Sequence, residues 1–404
     1  MSIVGQNVLK KINTVTIRIP DDQNTIGRSG VKLYIYAVSI AALFSAVGIL
    51  WDISWHASIG RDQFFSPPHI LIYLGAILGG FFSGVQVLLN TFLVRGEARG
   101  AYVKVWGVFY SSLGSMFCIW GAIAMLTSAP FDNWWHSAYG LDVKVFSPPH
   151  ALLLLGIFFL EFGGCVCISK YINLANPDDK SLRLLQILFL ISASSLLCLV
   201  FTISNPVIKI RYMRTATFYQ VAAVISLLLL PALSRALRMK WGMTAIASAY
   251  FLLQAIVNWV LQLFHAEPKL GPILTHTTHF QPAMFPMLIM VPAFFMDLVM
   301  IKSKANEWTK AAYISVIFVL MLVAIQYPFS GFLLQSPASR NWFFGGNSWF
   351  FGSPPDSPYR YKFSPTDLQP LRSFAVGIIL CILMGTVVAR ISMRWGNWML
   401  RIQR

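Results

Sequence analysis

The fold class this sequence predicts is all-α: a polytopic transmembrane helical bundle of about ten helices, built in part from duplicated two-helix hairpins. Three observations predict it. Of 404 residues, 56% are hydrophobic and only 11% charged, against roughly 25% charged in an ordinary soluble domain. Ten stretches approach or exceed the roughly 20 apolar residues needed to cross a hydrocarbon core. A polar-edged block near the first of them recurs about 80 residues later, as a duplicated hairpin would.

The spans are expected at 33–51, 69–93, 105–129, 150–169, 184–206, 215–234, 243–264, 283–301, 311–330 and 372–390. Ahead of them, residues 1–32 are polar and read as a cytoplasmic segment. They hold no apolar run before a small-residue cleavage site, so no cleaved signal peptide is expected and the first span is its own insertion signal. Residues 33–170 carry the duplicated hairpins of the first four helices. Residues 171–330 hold helices five to nine and an outer, histidine-rich loop at 264–286. An outer loop at 331–371 is rich in aromatic residues, among them Trp342, Phe343, Phe344, Trp349, Phe350 and Phe351. Its length marks it as functional or disordered and its aromatics argue against disorder, so a lid over the sites or a docking surface is expected. The last helix and a cytoplasmic tail occupy 372–404.

Net charge is +16. In a soluble protein this would suggest nucleic acid, but the charge is gathered in alternate short connections. Lys10, Lys11, Arg18, Arg28 and Lys32 precede the first span; Arg95, Arg99 and Lys104, then Lys170, Lys180 and Arg183, then Arg235, Arg238 and Lys240, then Lys302, Lys304 and Lys310 follow on the same side. The positive-inside rule places both termini in the cytoplasm of a plasma or bacterial inner membrane, with the lipid bilayer and not nucleic acid as partner. A cluster at Lys209, Arg211 and Arg214 runs against this pattern. The five cysteines, Cys118, Cys165, Cys167, Cys198 and Cys381, all fall within spans and read as packing residues.

The repeat carries chemistry. WDISWHASIGRDQFFSPPHILIYLG, from Trp51 to Gly75, is matched by FDNWWHSAYGLDVKVFSPPHALLLLG, from Phe131 to Gly156. If the first helix continues to His56, Asp52 and His56 stand at i and i+4 on one face. Ser66-Pro67-Pro68 is a helix start, with serine able to cap and proline tolerated in the first turn. His69 then lies at a helix N-terminus, where the dipole disfavours imidazolium and leaves the neutral ring that a metal requires. One hairpin thereby gathers Asp52, His56 and His69 as metal ligands, and the other gathers Asp132, His136 and His150. A lone histidine at an interface more often hydrogen-bonds backbone or water; the repetition of Asp-x3-His with a distant Pro-Pro-His favours metal. Trp51, Trp55, Trp134 and Trp135 are read as interfacial anchors.

A third stretch, Phe264 to Pro286, offers His265, Glu267, His276 and His279 as additional ligands. All seven histidines therefore fall in three segments on the predicted outer side. Asp62 and Asp142 follow the turn glycines and are expected to orient ligand histidines. Within the membrane, Glu161 lies three turns deeper than His150, where a carboxyl is costly without a role or a partner; a proton relay or a pairing with a buried donor is expected. Asp297 is expected to snorkel toward Lys302.

Asp52, His56 and His69 resemble the Asp-x3-His-x12-His copper motif of the C subunit of the particulate methane and ammonia monooxygenases, the copper membrane monooxygenases. Asp132, His136 and His150 are similar in spacing to that subunit's Asn-x3-His-x13-His motif, with aspartate in place of asparagine. The resemblance covers about residues 45–160. It implies copper, dioxygen, additional membrane subunits and oxidation of a small apolar molecule or ammonia. The residues themselves specify only nitrogen and oxygen donors, which iron or zinc also accept. Two further readings stand beside the oxygenase: a transporter or loading protein for copper or zinc, and a haem-binding membrane subunit. No ladder of ligands descends through the spans as a carrier would need, and haem would be better served by histidines inside neighbouring spans.

Overall fold

The computed structural model describes residues 31–60, 62–140, 147–176, 180–204, 212–269, 278–283, 285–339, 341–345 and 369–404. Ten α-helices are found among them: α1 (Leu33–Ser58), α2 (Pro67–Leu93), α3 (Leu113–Tyr139), α4 (Pro148–Leu174), α5 (Lys180–Ile203), α6 (Ala216–Leu237), α7 (Gly242–Leu261), α8 (Met290–Lys302), α9 (Glu307–Gln335) and α10 (Leu371–Met399). Nine of these are long and apolar enough to cross a membrane. The chain is an all-α, polytopic bundle of an integral membrane protein, with large apolar side chains such as Phe81, Phe92, Ile379 and Leu383 directed outward to lipid and Phe189, Phe218, Tyr219 and Phe318 enclosed in its core.

The helices outrun their apolar stretches, and this positions the chemistry. α1 continues to Ser58, so Asp52 and His56 do share one helical face. α3 begins only at Leu113 rather than at 105, because Val103–Val105 and Phe109–Ser111 pair as a small antiparallel hairpin, β1 and β2. Its turn needs left-handed backbone at Trp106 and Gly107. Ser112 then caps α3 by accepting from the Ser115 backbone N–H.

The eighth span, expected at 283–301, is corrected to a helix of 13 residues. At 1.5 Å per residue that is about 20 Å, short of the roughly 30 Å hydrocarbon core. Pro282 and Pro286 keep the chain ahead of it extended, since each lacks an N–H and disfavours helix in the residue before it. The freed backbone is met by side chains: Asn258 donates to the Ala283 carbonyl at 3.3 Å, and the Gln326 amide oxygen accepts from Leu288 N at 3.2 Å. Irregular backbone inside a membrane bundle requires such partners. Asp297 is corrected too. It does not turn toward Lys302 but caps α7, accepting from Met243 N (3.3 Å), Thr244 N (2.8 Å) and the Thr244 hydroxyl (2.7 Å).

Hairpin α3–α4 closes on glycine. A Cβ at Gly121 would lie 2.6 Å from the Gly156 carbonyl oxygen, and one at Gly156 would lie 2.8 Å from that of Gly121. Membrane helices approach closely through such residues. Side-chain bonds tie the bundle at both ends. At one, Asn173 donates to the carbonyls of Met399 (2.9 Å) and Ile402 (3.0 Å), and Arg235 pairs with Glu307 at 2.7 Å. At the other, where α1 ends and α2 begins, Ser54 donates to Gln281 O at 2.5 Å and Gln281 N donates to Ser58 Oγ at 2.7 Å. The described part of the aromatic loop packs on α7 and α9, with Trp342 stacked on Trp259 and Phe344 against Phe332. Trp349, Phe350 and Phe351 lie outside the described residues, as do Lys209 and Arg211.

Candidate metal centre

In the first hairpin, the last turn of α1 and the first turn of α2 bring four side chains to one point. Asp52 reaches His69 Nε2 through Oδ1 at 3.3 Å and His56 Nε2 through Oδ2 at 3.8 Å. Asp62, from the connecting turn, reaches the same two nitrogens at 2.8 Å and 3.3 Å. Asp52, Asp62 and His69 form the tightest group, with one donor atom each within 4.8 Å of the others; His56 stands beside it, half exposed. Two carboxylates and two neutral imidazoles would carry a net charge that balances a divalent cation.

Asp62 is the group whose ionisation is most visibly shaped. Burial pushes its carboxyl up, but hydrogen bonds from His56 and His69, reinforced by the charge of those rings, outweigh it and hold Asp62 well below the usual carboxylate range.

The second hairpin repeats the plan. Asp132 reaches His136 Nε2 through Oδ2 and His150 Nε2 through Oδ1, both at 3.5 Å. The His136 Nδ1 lies 3.2 Å from the Gly140 carbonyl; donation there fixes the tautomer and leaves the Nε2 lone pair to the Asp132 side. Ser147 caps α4 by accepting from His150 N, whereas Ser66 at the equivalent place caps nothing and accepts instead from Gln63 N at 2.7 Å. Asp142, the counterpart of Asp62, lies outside the described residues.

Orphaned polar atoms repeat as well. Asp52 Oδ1 and Asp132 Oδ1, His69 Nδ1 and His150 Nδ1, and the indole nitrogens of Trp55 and Trp135 are all buried without an aligned hydrogen-bond partner among the described residues. These are equivalent positions of the two copies. A ligand with bonds of about 2.0–2.1 Å in a tetrahedral arrangement sets its donors about 3.3 Å apart; five of the six contacts here lie at 3.3–3.8 Å, and the sixth, Asp62 to His69, has the 2.8 Å of a direct hydrogen bond. Imidazolium–carboxylate pairs have similar lengths, so distance alone does not choose between them. Buried acceptors left over in duplicate favour a bound ligand, because buried polar atoms are otherwise paired. No family model, curated protein or solved structure matches the chain.

The third segment comes to the first hairpin but not into its cluster. His265 and His279 face each other across a single antiparallel bridge, and His265 Nε2 lies 3.3 Å from Glu267. His276 lies outside the described residues. Phe280 packs on Trp55, and Lys269 N donates to Ile59 O at 3.0 Å. Glu161 is remote, in the middle of α4.

Tyr73 was missed in reading the sequence, and Asp62, expected to orient ligand histidines, stands closer than that expectation. Asp62 sits in the first cluster itself rather than behind it; its recurrence as Asp142 was the available signal. Tyr73, one turn beyond His69, has its ring 6.1 Å from that imidazole and lies within electrostatic range of Asp52, Asp62 and Asp132. It donates to Phe64 O at 3.0 Å. Leu154 and its neighbours align with this part of α2, so the repeat holds no tyrosine that would have singled it out.

Proposed function

We propose that this chain is an integral-membrane metal protein whose duplicated hairpins each hold one divalent transition-metal ion, the first through Asp52, Asp62, His56 and His69 and the second through Asp132, His136 and His150. The single observation that supports this most is that each hairpin sets one aspartate against the Nε2 atoms of two histidines, at 3.3 and 3.8 Å in the first and at 3.5 Å twice in the second. In line with the resemblance to the monooxygenase C subunit, the ion is copper and the chain an oxygenase or oxygenase subunit, oxidising a small apolar molecule or ammonia with dioxygen, alone or beside further membrane subunits. Nitrogen and carboxylate donors fit Cu(II), and they also fit iron and zinc.

The bound metal would supply redox or Lewis-acid chemistry at the membrane face. The chain's own residues do the rest. Asp62 would add the charge that holds a cation, the Gly140 carbonyl orients His136, and the extended segment of Phe280 and Gln281 covers the end of α1. The charge distribution supports cytoplasmic termini and outward-facing sites in a plasma or bacterial inner membrane.

Metal analysis of protein purified without added metal, with electron paramagnetic resonance on the same sample, tests the reading. We expect retained metal that is lost in Asp52→Ala, His69→Ala and His150→Ala variants, and a spectrum that responds to reductant and dioxygen in native membranes. Full stoichiometry in all three variants would sink the sites; bound metal indifferent to dioxygen would sink the oxygenase. A copper or zinc carrier is the second reading. It is favoured by the interrupted α8, since carriers use broken helices, and metal influx into dye-loaded proteoliposomes would select it.

A further inference from the structure

Two acidic side chains are enclosed within the described bundle, and they differ in one respect. Asp297 is saturated by the α7 backbone. Glu161 is wholly buried, and neither of its oxygens has a hydrogen-bond partner among the described residues.

Glu161 stands midway along the 27-residue α4, roughly 16 Å along the axis from His150, so it takes no part in either metal cluster. Among the described residues, no cationic side chain pairs with it. The titratable groups within electrostatic reach are thiols: Cys165 one turn on, and Cys198 of α5. Cys118 of α3 lies near Cys165 and the Ser83 hydroxyl of α2. On α5, Ser195 stands one turn before Cys198, and its hydroxyl is also buried without a partner among the described residues. An isolated carboxylate ion in such surroundings is prohibitively costly, while a protonated carboxyl costs far less. Hard cations need several oxygen donors, commonly more than one carboxylate, and the groups named around Glu161 are thiols and hydroxyls with no second carboxyl.

We propose that Glu161 is a mid-membrane proton-binding site, a carboxyl that rests in its acid form and exchanges its proton with water by way of the hydroxyl and thiol groups around it. The inference does not depend on which metal reading is correct. It gives protons a resting place in the membrane interior, which an oxygenase and a proton-coupled carrier would each use.

The full chain in lipid vesicles is treated with the hydrophobic reagent N,N′-dicyclohexylcarbodiimide and digested for mass spectrometry. A carboxylic acid passes its proton to a nitrogen of the reagent while its oxygen bonds to the central carbon, and the adduct rearranges to an N-acylurea without losing any group. Glu161 is expected to carry the adduct, with labelling falling to background at alkaline pH, while the hydrogen-bonded Asp297 stays unlabelled. Infrared spectra of the unaltered protein supply a readout that needs no variant: a carboxylic C=O band that shifts within seconds in D2O. Glu161→Gln should lose that band and keep its metal content, whereas loss of metal without loss of the band would indict the metal sites alone. Absence of the adduct overturns the proposal. So does a band that stays unshifted for hours, which marks a static acid. Protection from labelling by sodium or copper(I) would assign the site to a metal cation instead.

Discussion

Asp62 combines two properties that rarely coincide at a membrane face: partial burial and two imidazole donors. Because its carboxyl is held below the usual range, its contribution to metal-free stability is fully present above about pH 3.9, the ordinary aspartate value, and is lost as pH falls toward the depressed folded value. Thermal unfolding of the metal-free protein is expected to weaken in that acid window, and Asp62→Asn should remove that part of the dependence. The same substitution should lower metal affinity at the first site by roughly 10–100-fold, the usual cost of losing a group that binds or orients a ligand. Titration with the metal, followed by electron paramagnetic resonance, measures it; unchanged affinity would return Asp62 to a turn residue. At this scale the sequence was highly legible. Asp52, His56, His69, Asp132, His136 and His150 converge as their spacing requires, since i,i+4 geometry and a Pro-Pro helix start are local rules. What spacing could not give was the depth to which the turn folds back, and that decides whether Asp62 stands in the cluster or behind it.

Hairpins, rather than single helices, are the units that make sites here, and α3–α4 shows why. Its candidate ligands lie on two helices held apart only by glycine backbone at Gly121 and Gly156. Enlarging Gly156 to Leu should force the helices apart and cost about 1–3 kcal/mol by overpacking. Thermal denaturation in detergent would read the loss, and metal analysis would read a second consequence: depletion of the site at Asp132 with the site at Asp52 intact. Loss of both would mean the two copies are not independent. Removal of the α7 cap by Asp297→Ala is expected to cost about 0.5–2 kcal/mol without changing metal content. Elements were legible wherever hydrophobic length and turn chemistry agreed. They failed at 105–112, where an apolar-rich stretch forms β1, β2 and the Trp106-Gly107 turn, and at 282–289, where Pro282 and Pro286 interrupt an apolar run that hydropathy counts as continuous.

For the whole molecule, the decisive question is whether both clusters open on the same side of the membrane. Connectivity puts the ends of α1 and α3 and the starts of α2 and α4 at one end of the bundle, while the β-hairpin between α2 and α3 lies at the other, close to Arg95, Arg99 and Lys104. The sequence reached this arrangement from two unrelated distributions, basic residues in alternate loops and histidines in the rest, and the bonds of Ser54 and Ser58 to Gln281 bring the third histidine segment to that same end. All five native cysteines are buried, so an introduced thiol can be read with little background. Phe65 and Tyr139 expose most of their surface at the cluster end, and Trp106 does so at the other. With both termini cytoplasmic, Phe65→Cys and Tyr139→Cys should react with a membrane-impermeant maleimide added to intact cells, and Trp106→Cys only after permeabilisation. The inverse pattern would turn the protein over while leaving the paired sites together. Reaction of Phe65→Cys and Tyr139→Cys from opposite sides would separate the hairpins and remove the basis for two sites serving one chemistry.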